Sequence, residues 1–321
     1  PRTTVVTQAQ GLAQSLNQAS SQLTQIGANG ATQLGSQIAQ INSLLTQAAT
    51  LNGDLAQATG TGGIGAAPLE DQMNTVLGQL AQLGGVTSRA QPDGTTTVSF
   101  GGVTVVSETA AEQLQTIVTG GVTSVQTGSG TPVSFGNGSV AGLLTGLNTD
   151  LPQYQSQLDS IASALATTVN TQLAAGYDAG GVSGSTNPLF TGTTAATISV
   201  NPALVSNPSL LAAALSNTAA GANDGGNAQA LAELGVSATG PDAKYQNLIQ
   251  SIGAAVQNAN SEVTSQTSVA TQASATLQAA QGVNVDAELS RMMTYQQTYE
   301  AAAKVLAADN QTIQSLIAAI G

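Results

Sequence analysis

The sequence predicts an α+β fold dominated by helices. It reads as an elongated multi-helix bundle of long N-terminal, central and C-terminal helices, with antiparallel β-rich segments inserted between them. Three observations carry this. Apolar residues recur three and four apart at both ends of the chain and in its middle, the spacing of one helical face. Between those runs, around 86–107, the period falls to two and Asp-Gly and Gly-Gly pairs punctuate it. Of the 321 residues 41% are hydrophobic, yet only 2% are aromatic and 7% charged, so any core must be built from small aliphatic side chains.

The first helical run places Val5, Ala9, Leu12, Leu16, Ala19, Leu23 and Ile26 on a coiled-coil seam. It pauses at "GANG" (27–30) and resumes one position out of phase at Leu34, Ile38, Ile41, Leu45, Ala48, Leu51 or Asn52, and Leu55. A phase slip alone changes the supercoil without ending a helix, but Gly27 and Gly30 leave a kink equally open. "ATGTGGIGAAP" (58–68) closes the run as a glycine-rich connection. Its Gly60, Gly62 and Gly65 match a dinucleotide-binding spacing, but a helix precedes it where that site needs a strand, so the linker reading wins.

Leu69, Met73, Val76, Leu77 and Leu80 form a short amphipathic helix, and "VTSRA", "TTTVSF" and "VTVVS" read as three strands of an antiparallel meander. Residues 119–142 are Gly, Ser, Thr and Val with a chance glycosylation sequon at Asn137. A second long helix carries Leu151, Tyr154, Leu158, Ile161, Leu165 and Val169, with Asp150 and Pro152 as its cap and first turn. Residues 176–240 are turn-rich, with a strand at 196–200 and a short helix around 208–216. The last third is helical along Tyr245, Leu248, Ile252, Ala255, Ala259 and Val263, then Ala270, Ala273, Leu277 and Ala280. After "QGVNVD" (281–286) a final stripe runs from Leu289 to Ile320. The segments thus divide into N-terminal bundle helices (1–85), a β-rich insertion (86–140), a central helix (141–176), a turn-rich stretch (177–240), a C-terminal bundle helix (241–281) and a terminal amphipathic helix (282–321).

The chemistry available is narrow. The chain has no histidine and no cysteine, which removes the commonest general base, thiol nucleophiles, disulfides and the usual zinc ligands. Glu70 and Asp71 are chain neighbours and point about 100° apart on a helix, while Asp286 and Glu288 suit a helix start. "GYDAGG" (176–181) is explained by a turn and no calcium loop is present, so neither a metal nor a cofactor is expected, nor an enzyme. The net charge is −12, with 17 acidic residues against five scattered cations, which argues against nucleic acid and anionic lipid. No apolar run is long enough to span a bilayer, and "PRTTVVTQAQ" lacks the basic flank and apolar run expected of a cleavable signal peptide. The chain opens on Pro1 rather than methionine, which suggests that a natural N-terminal segment is absent.

What remains is the terminal stripe. "MMTYQQTYEAAAKVL" (292–306) sets two of the five tyrosines four apart on one helical face. Buried tyrosine in a core and tyrosine at an interface are balanced readings from periodicity alone.

Three stretches carry a family resemblance. "GVNVDAELSRMMTYQQTYEAAAKVLAADNQTIQSLIAAI" (282–320) resembles the C-terminal segment shared by flagellar axial proteins. "NTDLPQYQSQLDSIASALATTVNTQLAAGYD" (148–178) and "PLEDQMNTVLGQLAQLGGVTSRAQPDGTTTVSFGG" (68–102) are similar to segments of the hook-associated protein 1 family, and "ISVNPAL" and "NDGGNAQALAEL" fit it too. The chain departs from that family at Met73, where arginine is usual, at Leu173, where histidine is frequent, and in lacking the N-terminal assembly segment. The resemblance implies a structural protein of the bacterial flagellum, exported unfolded through the type III apparatus and assembled as a ring joining hook to filament. Its implied partners are the hook protein, the second hook-associated protein, copies of itself, and an export chaperone on the C-terminal helix. The assembly surface expected here centres on Leu289, Met292, Tyr295, Tyr299, Ala303, Leu306, Ile313 and Ile317. Another axial protein, or an exported adhesin using the β segments, are the alternative readings.

Overall fold

The computed structural model describes residues 1–62, 65–217, 224–234, 240–281 and 288–304. These fall in two compact units, Pro1–Ser251 and Ile252–Gly321. The first unit contains α1 (Arg2–Gly60), α2 (Ala66–Gly84), α3 (Gly138–Thr145), α4 (Leu151–Ala174), α5 (Pro202–Ser206) and α6 (Gly226–Leu234). A four-stranded antiparallel sheet runs in the order β1 (Thr87–Ala90), β2 (Thr96–Phe100), β3 (Val103–Ser107), β4 (Ala110–Ala111). A second, three-stranded sheet orders β5 (Leu114–Thr119), β6 (Val122–Thr127) and β7 (Pro132–Val133), and β8 (Phe190–Thr191) pairs with β9 (Ser199–Val200). The helix α7 (Pro241–Gln281) begins in the first unit and continues into the second, which also holds α8 (288–304). The helix-dominated α+β fold is therefore the one the sequence predicts.

The helix α1 passes unbroken through both glycines of "GANG". The reason lies about 120 residues away in sequence. A Cβ placed at Gly27 would meet Leu151 Cδ1 at 3.6 Å, and one at Gly30 would meet Leu147 Cδ2 at 3.2 Å. The glycines form a notch that lets two leucines approach the α1 backbone, so the lost helix propensity, about 1 kcal/mol each, is offset by packing. The seam also differs in its first half. The buried positions are Val6, Ala9, Ala13, Leu16 and Ser20, leaving Val5, Leu12 and Ile26 exposed. In the second half the expected residues are buried, and of the pair Leu51 and Asn52 it is Asn52 that is fully enclosed.

Asp150 is not a cap. It lies in helical backbone, within a π-helical turn (Gly146–Asp150) that joins α3 to α4, so the central helix starts at Gly138. Pro152 explains the turn: it has no N–H to donate to Asn148 and its ring crowds that carbonyl. The Leu151 N–H instead reaches back to the Gly146 carbonyl, five residues away. The helix expected over 208–216 shrinks to one 3₁₀ turn, Pro208–Leu210. Beyond it Ala214 exchanges both backbone bonds with Tyr177, at 2.8 and 3.1 Å, which holds that stretch extended. The strand expected at 196–200 forms only at Ser199–Val200.

Asparagine supplies much of what aromatic bulk usually does. A carboxamide carries one acceptor and one donor group side by side, like a peptide unit, and can pair with the exposed backbone of a β segment. Asn42 on α1 accepts from the Leu114 N–H at 2.8 Å and donates to its carbonyl at 2.9 Å. Asn148 does the same to Thr123 at 2.8 and 2.7 Å, and Asn170 to Phe190 at 3.0 and 2.8 Å. Asn52 accepts from the Thr96 N–H and donates to the Thr96 and Glu108 carbonyls. Helices thus hold the β excursions by polar clamps over an aliphatic core that includes Leu34, Ile41, Leu45, Leu80, Val98 and Val106.

The notch gives a stability test. A Cβ at Gly35 meets nothing within 4 Å, so Gly35→Ala should stabilise α1 by about 0.5–1 kcal/mol through propensity alone. Gly30→Leu should instead destabilise by about 1–3 kcal/mol, because Leu147 must be displaced. Thermal melts of the two variants should shift in opposite directions.

Candidate assembly surface

In the second unit every residue of α7 from Gly253 to Ala279 is exposed. Val256, Val263, Ala270 and Leu277 recur at seven-residue spacing, and Ala259 and Ala273 fall three residues after two of them. This is the spacing of a coiled-coil seam, interrupted at Gln266. Along α8, Leu289 (50% exposed), Met292 (50%), Gln296, Tyr299 (78%) and Ala303 alternate three and four apart. Tyr295 (73%) adds to the same edge, four residues before Tyr299. A shallow concavity between Met292, Tyr295, Tyr299 and Ala302 lies open to solvent.

Of the eight residues expected at the surface, Leu289, Met292, Tyr295, Tyr299 and Ala303 lie together on this one helix, exposed. Leu306, Ile313 and Ile317 lie outside the described residues. Each large apolar side chain left in water forgoes roughly 1.5–3 kcal/mol of burial, and a solitary helix of this length is marginal without a packed neighbour. The ion pair of Arg291 with Glu288 at 3.5 Å spans two exposed side chains and adds little. Sequence periodicity had not marked Val256 or Met293, which are equally bare.

Three acidic groups, Asp93, Glu112 and Asp224, hold turns through hydrogen bonds to neighbouring backbone. Side-chain and backbone hydrogen bonds from Thr95 hold the Asp93 carboxyl below its ordinary range, and those from Ser129 do so for Glu112. Backbone N–H groups of Gly226 and Leu215 do so for Asp224. Among the described residues no three metal-ligating side chains gather. Carboxyls depressed in the folded state favour folding above the unfolded carboxyl range, and this stability is lost as pH falls through their folded values. With no histidine in the chain, unfolding midpoints should hold steady between about pH 5.5 and 7 and decline below about pH 4. A midpoint that moves between pH 5.5 and 7 would contradict this.

The family model described as the flagellar hook-associated protein FlgK helical domain matches residues 1–190, the stretch from α1 to the first residue of β8. The chain belongs to the FlgK family. A second model, the flagellar basal body rod FlgEFG protein C-terminal segment, matches residues 277–319, which include α8. Flagellar hook-associated protein 1 of Escherichia coli K12 is 33% identical over 164 residues, covering 47% of this chain and 30% of the relative. Its counterpart in Salmonella typhimurium is 34% identical over the same shares. The FlgK flagellar hook junction protein of Burkholderia pseudomallei superposes with a TM-score of 0.50 at 30% identity, covering 57% of this chain and 35% of that one. The chain thus spans about a third of the length of the relatives it matches. The FlgK family is one of flagellar structural proteins, and no helix among the described residues is long and apolar enough to cross a membrane.

Proposed function

We propose that this FlgK-family chain is a structural subunit of the hook–filament junction, without catalytic activity. In this reading it is exported unfolded and assembled into a ring at the distal end of the hook, its terminal helices forming coiled-coil contacts with neighbours. The observation that supports it best is the bare stripe Leu289, Met292, Tyr295, Tyr299 and Ala303, which sits where the rod-protein C-terminal model matches. A helix that leaves so much apolar surface in water gains its stability from a partner. The partners proposed are copies of the same chain, the hook protein and the second hook-associated protein, with an export chaperone covering the C-terminal helix before secretion. The absence of cysteine suits passage through an export channel in the unfolded state.

Complementation tests the reading. The full-length gene, expressed in a bacterium lacking its own first junction protein, should restore filaments on hooks imaged by electron microscopy. Bare hooks in the matched species, with this protein present in the medium, would overturn the junction role in favour of another axial position or an exported binding module.

A further inference from the structure

The chain contains three Asn-Gly pairs, Asn29–Gly30, Asn52–Gly53 and Asn137–Gly138. Such a pair carries its own chemistry. The backbone nitrogen of the glycine is placed to attack the carboxamide carbon of the asparagine, and glycine, with no Cβ, hinders that approach least. The attack needs a glycine N–H that is not already donated and a carboxamide that no hydrogen bond holds in place. Two of the pairs fail this requirement. Gly30 and Gly53 lie inside the unbroken α1, where each N–H is held by the carbonyl four residues earlier. The Asn52 carboxamide is also enclosed and bound to Thr96 and Glu108.

Asn137 meets it. The residue is exposed, its backbone is extended at φ −156° and ψ −176°, and its side chain makes no capping bond to α3. Among the described residues its carboxamide has no other hydrogen-bond partner. Gly138 opens α3, so its N–H has no carbonyl one helical turn back, and it donates to no other group among the described residues. The fold requires this glycine. Its φ is 83°, and a Cβ there would lie 2.7 Å from the Leu83 carbonyl and from the Gly84 nitrogen. The Asn137 carboxamide covers Gly85, the left-handed cap of α2, where an added Cβ would overlap it. The corner that seats α3 on the end of α2 thus places a glycine after an asparagine for structural reasons, and the reactive pair comes with it.

We infer that Asn137 is a self-modification site, at which the folded chain deamidates in preference to its other Asn-Gly pairs. The Gly138 nitrogen bonds to Asn137 Cγ, the Cγ–Nδ2 bond breaks, and ammonia leaves with the proton from the Gly138 nitrogen. A water molecule then opens the cyclic imide at either carbonyl. One product is aspartate; the other is isoaspartate, in which the main chain runs through Cγ. The aspartate adds a charge at an exposed position before α3, where the helix dipole favours it. The isoaspartate lengthens the main chain where it already touches Leu83 and Gly84, so α3 loosens from the end of α2. The site goes beyond the terminal-helix reading and uses none of its residues.

Ageing the whole chain in mildly alkaline buffer tests this, with peptide mapping by mass spectrometry and enzymatic methylation to count isoaspartate. Conversion at Asn137 should outpace that at Asn29 and Asn52 by about tenfold or more, the factor that about 1.4 kcal/mol of local helix opening imposes. In urea, where α1 no longer protects the other two pairs, the three rates should converge. Equal rates in the folded chain overturn the inference, and so does an Asn137 that reacts in urea but not in the folded chain. Asn137→Ser, which keeps a small polar residue before α3, should lose the fast conversion. Its melting midpoint should hold steady on ageing while that of the parent falls as isoaspartate accumulates. Equal falls in the two would overturn the loosening of α3 and assign the lost stability to another site.

Discussion

Asn52→Ala is expected to destabilise the first unit by about 3–5 kcal/mol, a large share of the stability of an ordinary domain. The side chain is fully enclosed, and its carboxamide satisfies the Thr96 N–H at 2.8 Å, the Thr96 carbonyl at 2.9 Å and the Glu108 carbonyl at 2.7 Å. Truncation takes the Asn52 partner from three part-buried backbone groups, each worth about 1–3 kcal/mol, and a water entering the space recovers only part. Glu108 makes the site more sensitive, because its φ of 52° is left-handed for a side-chain-bearing residue and Asn52 holds its carbonyl. Asn52→Asp should be at least as damaging: a carboxylate keeps the bond from Thr96 but sets an acceptor against two carbonyls. Urea denaturation followed by circular dichroism measures both. The exposed control Asn258→Ala on α7 should stay within about 0.5 kcal/mol of the parent. A loss below about 1 kcal/mol for Asn52→Ala would mean that packing, not the clamp, holds the sheet against α1.

The sequence made the helices legible where a local period decides them. The buried seam from Leu34 to Leu55 follows from three-and-four spacing, and the β1–β3 meander from alternation and turn chemistry. What escaped depends on partners distant in the chain. Gly27 and Gly30 look like helix breakers until Leu151 and Leu147 are seen to pack on them. The π turn at Gly146–Asp150 has a local cause in Pro152, but a proline after an aspartate reads equally well as a helix start. The asparagine clamps are invisible to periodicity, because Asn42 and Asn148 occupy positions that an amphipathic template counts as merely polar. On α8 the stripe was legible as a pattern but not as a surface. Spacing cannot say whether Tyr299 faces a core or water, and exposure distinguishes the two.

That exposure sets up the other large effect. Tyr299→Asp should leave the purified chain folded and abolish filament growth. In the free chain Tyr299 is 78% exposed and loses no core packing when replaced, so its stability cost is confined to a helix-propensity change of about 0.5 kcal/mol. In a coiled-coil contact the same position would become enclosed between Met292, Tyr295 and a neighbour's apolar seam. Burying a carboxylate there without a cation costs several kcal/mol, which weakens each contact by a factor of about 100 or more. The chain offers few cations to compensate, since Arg291 already faces Glu288. Tyr299→Phe, which keeps the ring and drops only the hydroxyl, should assemble normally. The readout is filament length on hooks in the complemented strain, with melting of the purified variants alongside. Filaments of normal length in the Tyr299→Asp strain would remove this face from the assembly. Loss of filaments in both variants would instead point to the hydroxyl as a required hydrogen-bonding group, and so to a polar rather than an apolar contact at this position.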